Sequence, residues 1–353
     1  MKLSTFIYLA FIVPIVSTGC GTRETVSNSS ENLTQYIHPY IGTGDHGHVF
    51  MGANVPFGLV QLGPTNITEG WDWTSGYHIS DSTIFGFTHT HLNGTGIGDL
   101  CDIALMPVIG NVKLGKGEIS DPQSGMYSLF SHRNETAKAG FYSVHLDRYN
   151  IDVALTATKR VGFHKYTFPE SKDAKVIIDL KSKINWDKPV DTYLIRENDS
   201  VVSGYRFSTG WAKDQRIFFT AVFSKPMKGF SLSHGDDTIE SNSLKGEGVY
   251  AQILFDTAPK EEIYVKVALS PVSIENAKLN MKDELPGWNF DQTVKKADEA
   301  WNNELKKIKI TTSDEKIKRC FYTAMYHTMI APSEFNDTNK DYLGTDKKIY
   351  RNA

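Results

Sequence analysis

Residues 141–168 read FYSVHLDRYNIDVALTATKRVGFHKYTF. Tyr142, Val144 and Leu146 alternate with Ser143, His145 and Asp147; Ile151, Val153 and Leu155 alternate with Asp152 and Ala154. Successive side chains of a strand point to opposite faces, so a period of two marks strands with one face buried. Residues 161–168 add a run rich in aromatic and β-branched residues, types that suit a pleated surface. Similar runs recur at 175–180, 201–207, 216–223, 249–255 and 263–269, with turn signals such as Asn198-Asp199, Gly235-Asp236 and Asn242 between them. Many strands with little helix from about 103 to 269 predict a large antiparallel β-sandwich.

Past Pro286-Gly287 the period changes. Val294, Ala297, Trp301, Leu305 and Ile308 fall three or four apart, which predicts a helix capped by Asn289 or Asp291. A second helix is expected from an N-cap at Ser313, with Ile317, Cys320, Phe321, Ala324 and Thr328 on its apolar face and Pro332 ending it.

At the other end, Lys2 precedes an apolar run at 6–16 that is too short to span a membrane. Ser17-Thr18-Gly19-Cys20 follows it, a pattern that resembles a bacterial lipobox. The expectation is a signal peptide over 1–20, lipidation of Cys20, and a lipid anchor in the outer membrane of the cell envelope. Residues 21–35 are polar and turn-rich, as a tether would be. The anchor is then the protein's only link to a membrane. A formal net charge of −3 points away from a nucleic-acid partner. The other two cysteines, Cys101 and Cys320, lie far apart in sequence and are not expected to pair. Oligomeric state is not legible.

Residues 36–106 have a composition of their own: six of the eleven histidines, Trp71 and Trp73, and a scatter of glycines. Trp71-Asp72-Trp73 sets two aromatic faces around a carboxylate. Such faces suit the C–H faces of a sugar, while charged and amide groups bind its hydroxyls; the competing reading is that the indoles are core. His46-Gly47-His48 and His89-Thr90-His91 would each put two imidazoles on one face of a strand, a spacing that can ligate a transition metal. No partner at zinc-site spacing accompanies them, and hydrogen-bonded loop packing is the expected role of His46 and His48. His89 and His91 are better pocket candidates, because Asn93-Gly94-Thr95-Gly96 follows and allows close backbone approach. The glycine runs lack both the phosphate-loop Gly-Lys-Ser/Thr and a βαβ setting, which excludes a nucleotide site. Asp99 is expected to hold a turn before the strand that begins near Ile103.

Three strings together resemble family 92 of the glycoside hydrolases: HPYIGTGDHGHVFMGANVPFGLVQLGP at 38–64, GWDWTSGYHISDSTIFGFTHTHLNGTGIGDLCDIALMP at 70–107, and FYTAMYHTMIAPSEFND at 321–337. The family consists of calcium-dependent, exo-acting α-mannosidases. The resemblance implies a mainly β chain, with an antiparallel β-sandwich over 36–272, a helical linker over 273–312 and the truncated start of an (α/α)6 barrel over 313–353. It implies an inverting mechanism, with a general acid and a general base at the separation such enzymes need. Both carboxyls, and the Ca2+, belong to a barrel region that maps onto no residue here, so no catalytic or metal residue is assigned and the chain alone is expected to be inactive. By motif match, the sandwich's share of the sugar cleft is Gly42, Thr43, Trp71, Asp72, Trp73, His89 and His91. Asp337 falls in the string that begins the barrel. The expected partners are mannose-containing glycans, and the expected activity is trimming of α-1,2-linked mannose from N-glycans or mannan. The alternatives are a non-catalytic glycan-binding lipoprotein, a decayed gene fragment, and a metal-dependent hydrolase built on the histidine pairs.

Overall fold

The computed structural model describes residues 31–235 and 237–352. The expected signal segment, the lipidation site Cys20 and most of the tether lie outside the described residues. The described residues from Leu33 onward group into one compact unit. The polar tether stops earlier than expected. Leu33 and Thr34 are already buried in a short 3-10 turn, Leu33–Tyr36. The reason is local: the Leu33 amide donates to Asn302 Oδ1 (2.8 Å) and the Thr34 hydroxyl to Asp298 Oδ1 (2.5 Å).

Two antiparallel sheets carry the fold among the described residues. One has seven strands in the order Gly63–Thr65, Gly86–Thr88, Ala104–Ile109, Ser171–Asp179, Val249–Thr257, Gly229–His234, Asp237–Ile239. The other has nine, in the order Ser243–Gly246, Lys188–Asn198, Val201–Thr209, Gln215–Phe223, Glu261–Ser270, Val161–Phe168, Ile151–Ala157, Phe141–Leu146, Glu135–Lys138. Residues of both sheets share one apolar core: Leu105, Val176 and Ile253 from the first meet Val153, Leu155, Tyr166 and Val265 from the second. Alternation in sequence becomes alternation in burial, and Tyr142, Val144 and Leu146 are buried while Phe141, Ser143 and His145 are half-buried. The fold is thus the mainly β sandwich expected. Lys188–Asn198 was not foreseen. Asp191, Arg196 and Glu197 break its apolar pattern, as suits a strand near a sheet edge with one wet face.

Three helices follow among the described residues. Helix α1, Ile274–Glu284, is capped by Ser273, whose hydroxyl accepts from the Asn276 amide at 3.1 Å. It packs Ala277 and Met281 onto Val161, Phe163 and Ala268 on the outer face of the larger sheet. Helix α2, Phe290–Leu305, is capped by Asn289 and buries Ala297, Trp301 and Leu305 as the spacing predicts. The fully buried Trp301 donates its indole N–H to Asn54 O (2.8 Å) and meets the Tyr326 ring at 4.4 Å. Ile308 lies past the helix end and is exposed.

Helix α3, Glu315–Thr328, differs from expectation twice. Its cap is Asp314 rather than Ser313, because the Asp314 carboxylate accepts from both Lys316 N and Ile317 N. Its buried face is Tyr322, Thr323 and Tyr326, whereas Ile317, Cys320, Ala324 and Thr328 are exposed. The tyrosines win because their rings find partners. Tyr322 stacks on Tyr36 at 5.7 Å and Tyr326 packs on Trp301. Phe321 and Met325 are half-buried at the margin of that cluster. Cys101 and Cys320 are unpaired.

A buried carboxylate helps tie the segment after α3 back to the sandwich. Asp337 accepts from Ser270 Oγ (2.8 Å), Asn276 Nδ2 (2.8 Å) and Asn280 Nδ2 (2.7 Å).

Candidate functional site

Trp71-Asp72-Trp73 folds as a 3-10 turn that enters through Gly70. Gly70 has φ 154°, in the region that favours glycine. This turn throws Trp71 outward, with 54 % of its surface exposed. The ring does not stand alone: His46 and His48 lie 4.9 Å and 4.4 Å from it, centroid to centroid. His46 Nδ1 meets Asp72 Oδ1 at 2.6 Å. That hydrogen bond holds the Asp72 carboxyl below its usual range and raises His46. Asp72 is therefore an ionised acceptor beside an exposed indole.

The loop carrying His46 and His48 is pinned from several sides. Gly42 takes φ 87°, and its carbonyl accepts from Val49 N at 3.3 Å. A Cβ on Gly42 would come 2.7 Å from Val49 Cγ2 and 3.9 Å from His327 Cε1, so α3 abuts this loop. Asn93 bridges the two: its Oδ1 accepts from Phe50 N (3.0 Å) and its Nδ2 donates to His327 O (3.2 Å). His48 Nε2 and His327 Nε2 are buried without a hydrogen-bond partner among the described residues. Burial pushes the His327 imidazole down to about 4, so it is neutral at pH 7. Buried orphan nitrogens are rare enough to mark a place where a ligand or water completes the set.

The remaining expected residues sit deeper. Thr43 is buried, and its hydroxyl donates to Tyr40 O (2.9 Å). Trp73 is half-buried; its indole N–H is taken by Asp81 Oδ2 at 3.0 Å and its ring lies on His78. His89 and His91 are both buried, and His91 also lines the cavity beside Asn93. His89 lies between Ile103 O (2.6 Å) and His164 Nε2 (2.9 Å). His91 lies between Gln61 O (2.8 Å) and Thr88 Oγ1 (2.9 Å). With both nitrogens of each ring engaged, these histidines hold loops together. The structure instead brings Gly42, His46, His48, Trp71 and Asp72 to one place. His46 and His48 were readable only as loop packing, since nothing in sequence links them to Trp71.

A cavity of about 510 Å³ opens beside Asn93 and is lined by Thr90, His91, Asp102, Arg206 and Lys347 among others. Its floor is charged. Buried Arg206 pairs with Asp102 Oδ1 at 2.5 Å and with Asp187, and Thr90 Oγ1 donates to Asp102 Oδ2 at 2.8 Å.

The residues described do not fit calcium, which takes six to eight oxygen ligands. Among them, no group of three or more His, Cys, Asp or Glu is placed to hold a metal ion. At Asp337 and Asp341 the oxygens accept from the Ser270 hydroxyl and from amide or guanidinium N–H groups of Asn276, Asn280, Asn339 and Arg351. Those donors occupy the directions a cation would need.

Residues 36–270 match the Glycosyl hydrolase family 92 N-terminal domain, and residues 276–353 match the Glycosyl hydrolase family 92 catalytic domain. A family GH92 α-mannosidase from Bacteroides thetaiotaomicron, also solved in complex with mannoimidazole, superposes with a TM-score of 0.87 at 36% identity, over 91% of this chain and 44% of its own. A second protein from that organism, described as a family GH92 inverting mannosidase, gives 0.79 at 25% identity over 92% of this chain and 44% of its own. A protein of Arthroderma benhamiae described as an uncharacterized secreted glycosidase is 22% identical over 92% of this chain and 45% of its own length. The chain thus spans under half the length of these relatives. With both domain regions matched along nearly all of the unit that begins at Leu33, the chain belongs to glycoside hydrolase family 92.

Proposed function

We propose that this chain forms part of an exo-acting, inverting α-mannosidase that removes α-1,2-linked mannose from N-glycans or mannan in the cell envelope. The observation that carries the reading is the ionised Asp72 held by His46 beside the exposed Trp71, within a chain 36% identical to an α-mannosidase. A mannose ring laid on Trp71 buries its C–H face there, and Asp72 accepts from a hydroxyl in a charge-assisted hydrogen bond. Gly42 keeps the loop low, and Thr43, Trp73, His89 and His91 hold its framework. In this reading Trp71 and Asp72 bind and orient the sugar, and the other residues hold them in place.

No pair of carboxyls in the chain is assigned to proton transfer. The general acid, the general base and the calcium ion are proposed to come from residues outside those described, and no step is derived through the metal. The 353-residue chain by itself is accordingly expected to leave mannosides intact. A lipid anchor at Cys20 would hold the enzyme at the envelope.

The native protein, assayed on α-1,2-, α-1,3- and α-1,6-mannobiose with the product anomer followed by NMR, is expected to release β-mannose chiefly from the α-1,2 isomer. Release of α-mannose overturns the inverting reading, and preference for another isomer overturns the linkage. Turnover by the 353-residue chain overturns its assignment as the non-catalytic share. Metabolic labelling with a palmitate analogue tests the anchor, which Cys20→Ala should abolish.

A further inference from the structure

Two further tryptophans stand out in water. Trp211 is 70 % exposed and Trp186 is 54 % exposed, alongside Trp71 at 54 %. Among the described residues neither Trp186 nor Trp211 stacks on another ring or beneath a cation. Indoles are seldom left so bare, because each leaves a large apolar area in water.

These three rings sit on loops far apart in sequence that are all fastened to one segment, residues 94–99. A Cβ on Gly96 would come 2.5 Å from Trp71 Nε1, so the bare glycine backbone lies against that indole. Gly98 O accepts the Trp186 amide at 3.1 Å. The Asp99 carboxylate, itself buried, accepts from Trp211 N (3.1 Å), Ala212 N (2.9 Å) and Gln215 Nε2 (3.3 Å). Asn185 closes the frame: it accepts from Gly70 N and donates to Gly70 O, both at 2.9 Å. Trp186 follows Asn185 and Trp71 follows Gly70, so one amide side chain locks the bases of two exposed rings together. The loops that carry the rings are tied together before any ligand arrives, which lowers the ordering cost of binding.

We infer that Trp186 and Trp211 form an outer carbohydrate platform, continuous with the Trp71 and Asp72 site, that takes the sugars of an oligosaccharide beyond the residue held at Trp71. The ligand class follows from the surface: flat indoles for the C–H faces of pyranose rings, interspersed with amide and ammonium groups of Asn185, Lys183 and Lys213 for hydroxyls. Lys183 Nζ donates to Asn185 O (3.0 Å) and Lys213 Nζ to Gly210 O (3.2 Å), which places both ammonium groups on the frame itself. The inference rests on the proposed glycan site and extends it from one sugar to a chain.

The test is calorimetric titration of the full chain with α-mannobiose and α-mannotetraose, and with a glucose-based disaccharide and tetrasaccharide as a second series. The proteins are wild type, Trp186→Ala, Trp211→Ala, the double variant and Trp71→Ala, each with its Tm recorded. Removing exposed rings leaves the core intact, so folding is expected to survive. The tetrasaccharide should bind wild type more tightly than the disaccharide. The double variant should lose about tenfold in tetrasaccharide affinity relative to disaccharide affinity, the size expected for two stacking rings. A length advantage that survives in the double variant overturns the platform, and so does a failure of every oligosaccharide to bind. Mannobiose binding that depends on Trp71 with no length advantage overturns the platform and leaves the mannosidase reading standing. A length advantage confined to the glucose series and lost in the double variant supports the platform and removes the mannose assignment. If the double variant instead changes only self-association in sedimentation, the rings belong to a protein contact and the inference fails.

Discussion

His89 Nε2 and His164 Nε2 face each other at 2.9 Å inside the sandwich, with neither ring touching water. The protons can be placed by elimination. Ile103 O only accepts, so His89 Nδ1, 2.6 Å away, carries a hydrogen and Nε2 is the acceptor. His164 Nε2 therefore donates, and its Nδ1 accepts from the Tyr166 hydroxyl at 2.8 Å. The chain of bonds is complete with both imidazoles neutral.

Acid should accordingly loosen the fold. Burial pushes His89 down to about 3 and His164 well below its ordinary value, while burial takes His91 to about 4. In the unfolded chain these groups titrate near pH 6.5. Between that value and the folded ones the unfolded state binds more protons, so stability is intact above about pH 6.5 and falls as pH drops below it. Each such histidine contributes up to about 1.4 kcal/mol per pH unit. Urea midpoints should decline steadily from pH 7 to 5, and the His89→Leu/His164→Leu double variant should show a shallower slope. A midpoint that stays flat over that range contradicts the neutral pair.

The buried ion cluster gives a prediction of opposite chemistry. Arg206 is the lone cation between Asp102 and Asp187, and all three side chains are out of water. Arg206→Met keeps the bulk and leaves two buried carboxylates without their counter-charge. Breaking a buried pair from one side costs about 3–5 kcal/mol. Chemical denaturation should show a loss of that order. A loss under 1 kcal/mol would mean that water reaches the carboxylates through the neighbouring cavity.

Asp72 and His46 can be tested without a ligand. His46 is raised first by its hydrogen bond to Asp72 and then by the charge of that carboxylate. Asp72→Asn removes the charge and weakens the bond, so the His46 midpoint in an NMR titration should fall toward the ordinary histidine value. An unchanged midpoint would show that the two side chains do not pair in solution.

The sandwich was legible because burial on one face writes itself as a period of two. Tyr142, Val144 and Leu146 needed nothing beyond that rule. The face of α3 was not, since Ile317 and Phe321 outrank Tyr322 and Tyr326 on any hydropathy scale. Only the distant Tyr36 and Trp301 reverse that order by supplying rings to stack on. The site shows the same divide. Trp71 and Asp72 stood out by composition, but His46 reaches Asp72 across 26 residues of chain. His89 and His91 share the one-residue spacing of His46 and His48, and the glycine run after them favoured them as pocket residues, yet it is His46 that reaches Trp71 and Asp72.

Asp337 lay in a string that marks the family, and its role here is structural. It accepts from Ser270 at the end of a sheet strand and from Asn276 and Asn280 of α1. Asp337→Ala removes one acceptor from each of three buried donors. Asn276 Nδ2 keeps Asp341 Oδ2 (3.3 Å) and Asn280 Nδ2 keeps Leu269 O (2.9 Å), so each bond lost is worth about 0.5–1.5 kcal/mol, and more for the Ser270 hydroxyl. Thermal unfolding should show a clear loss of stability, and Asp337→Asn, which keeps the shape but inverts one end of the hydrogen-bond pattern, should lose less. Equal stability of the alanine variant and wild type would refute the anchor.

Gly96 offers the sharpest test of how Trp71 is held. A Cβ there would sit 2.5 Å from Trp71 Nε1 and 3.1 Å from Cε2, distances that real Cβ atoms do not tolerate or tolerate badly. Because Gly96 is not in the left-handed region, Gly96→Ala imposes no backbone strain of its own, and the indole is the group that must move. The expected result is a Tm close to wild type, a shift in tryptophan emission as the ring is displaced, and mannobiose affinity reduced severalfold in proportion to lost stacking. Normal affinity with shifted emission would separate Trp71 from sugar binding. Unshifted emission would show that the 94–99 segment yields before the ring does, and the frame shared by Trp71, Trp186 and Trp211 would then be softer than its hydrogen bonds imply.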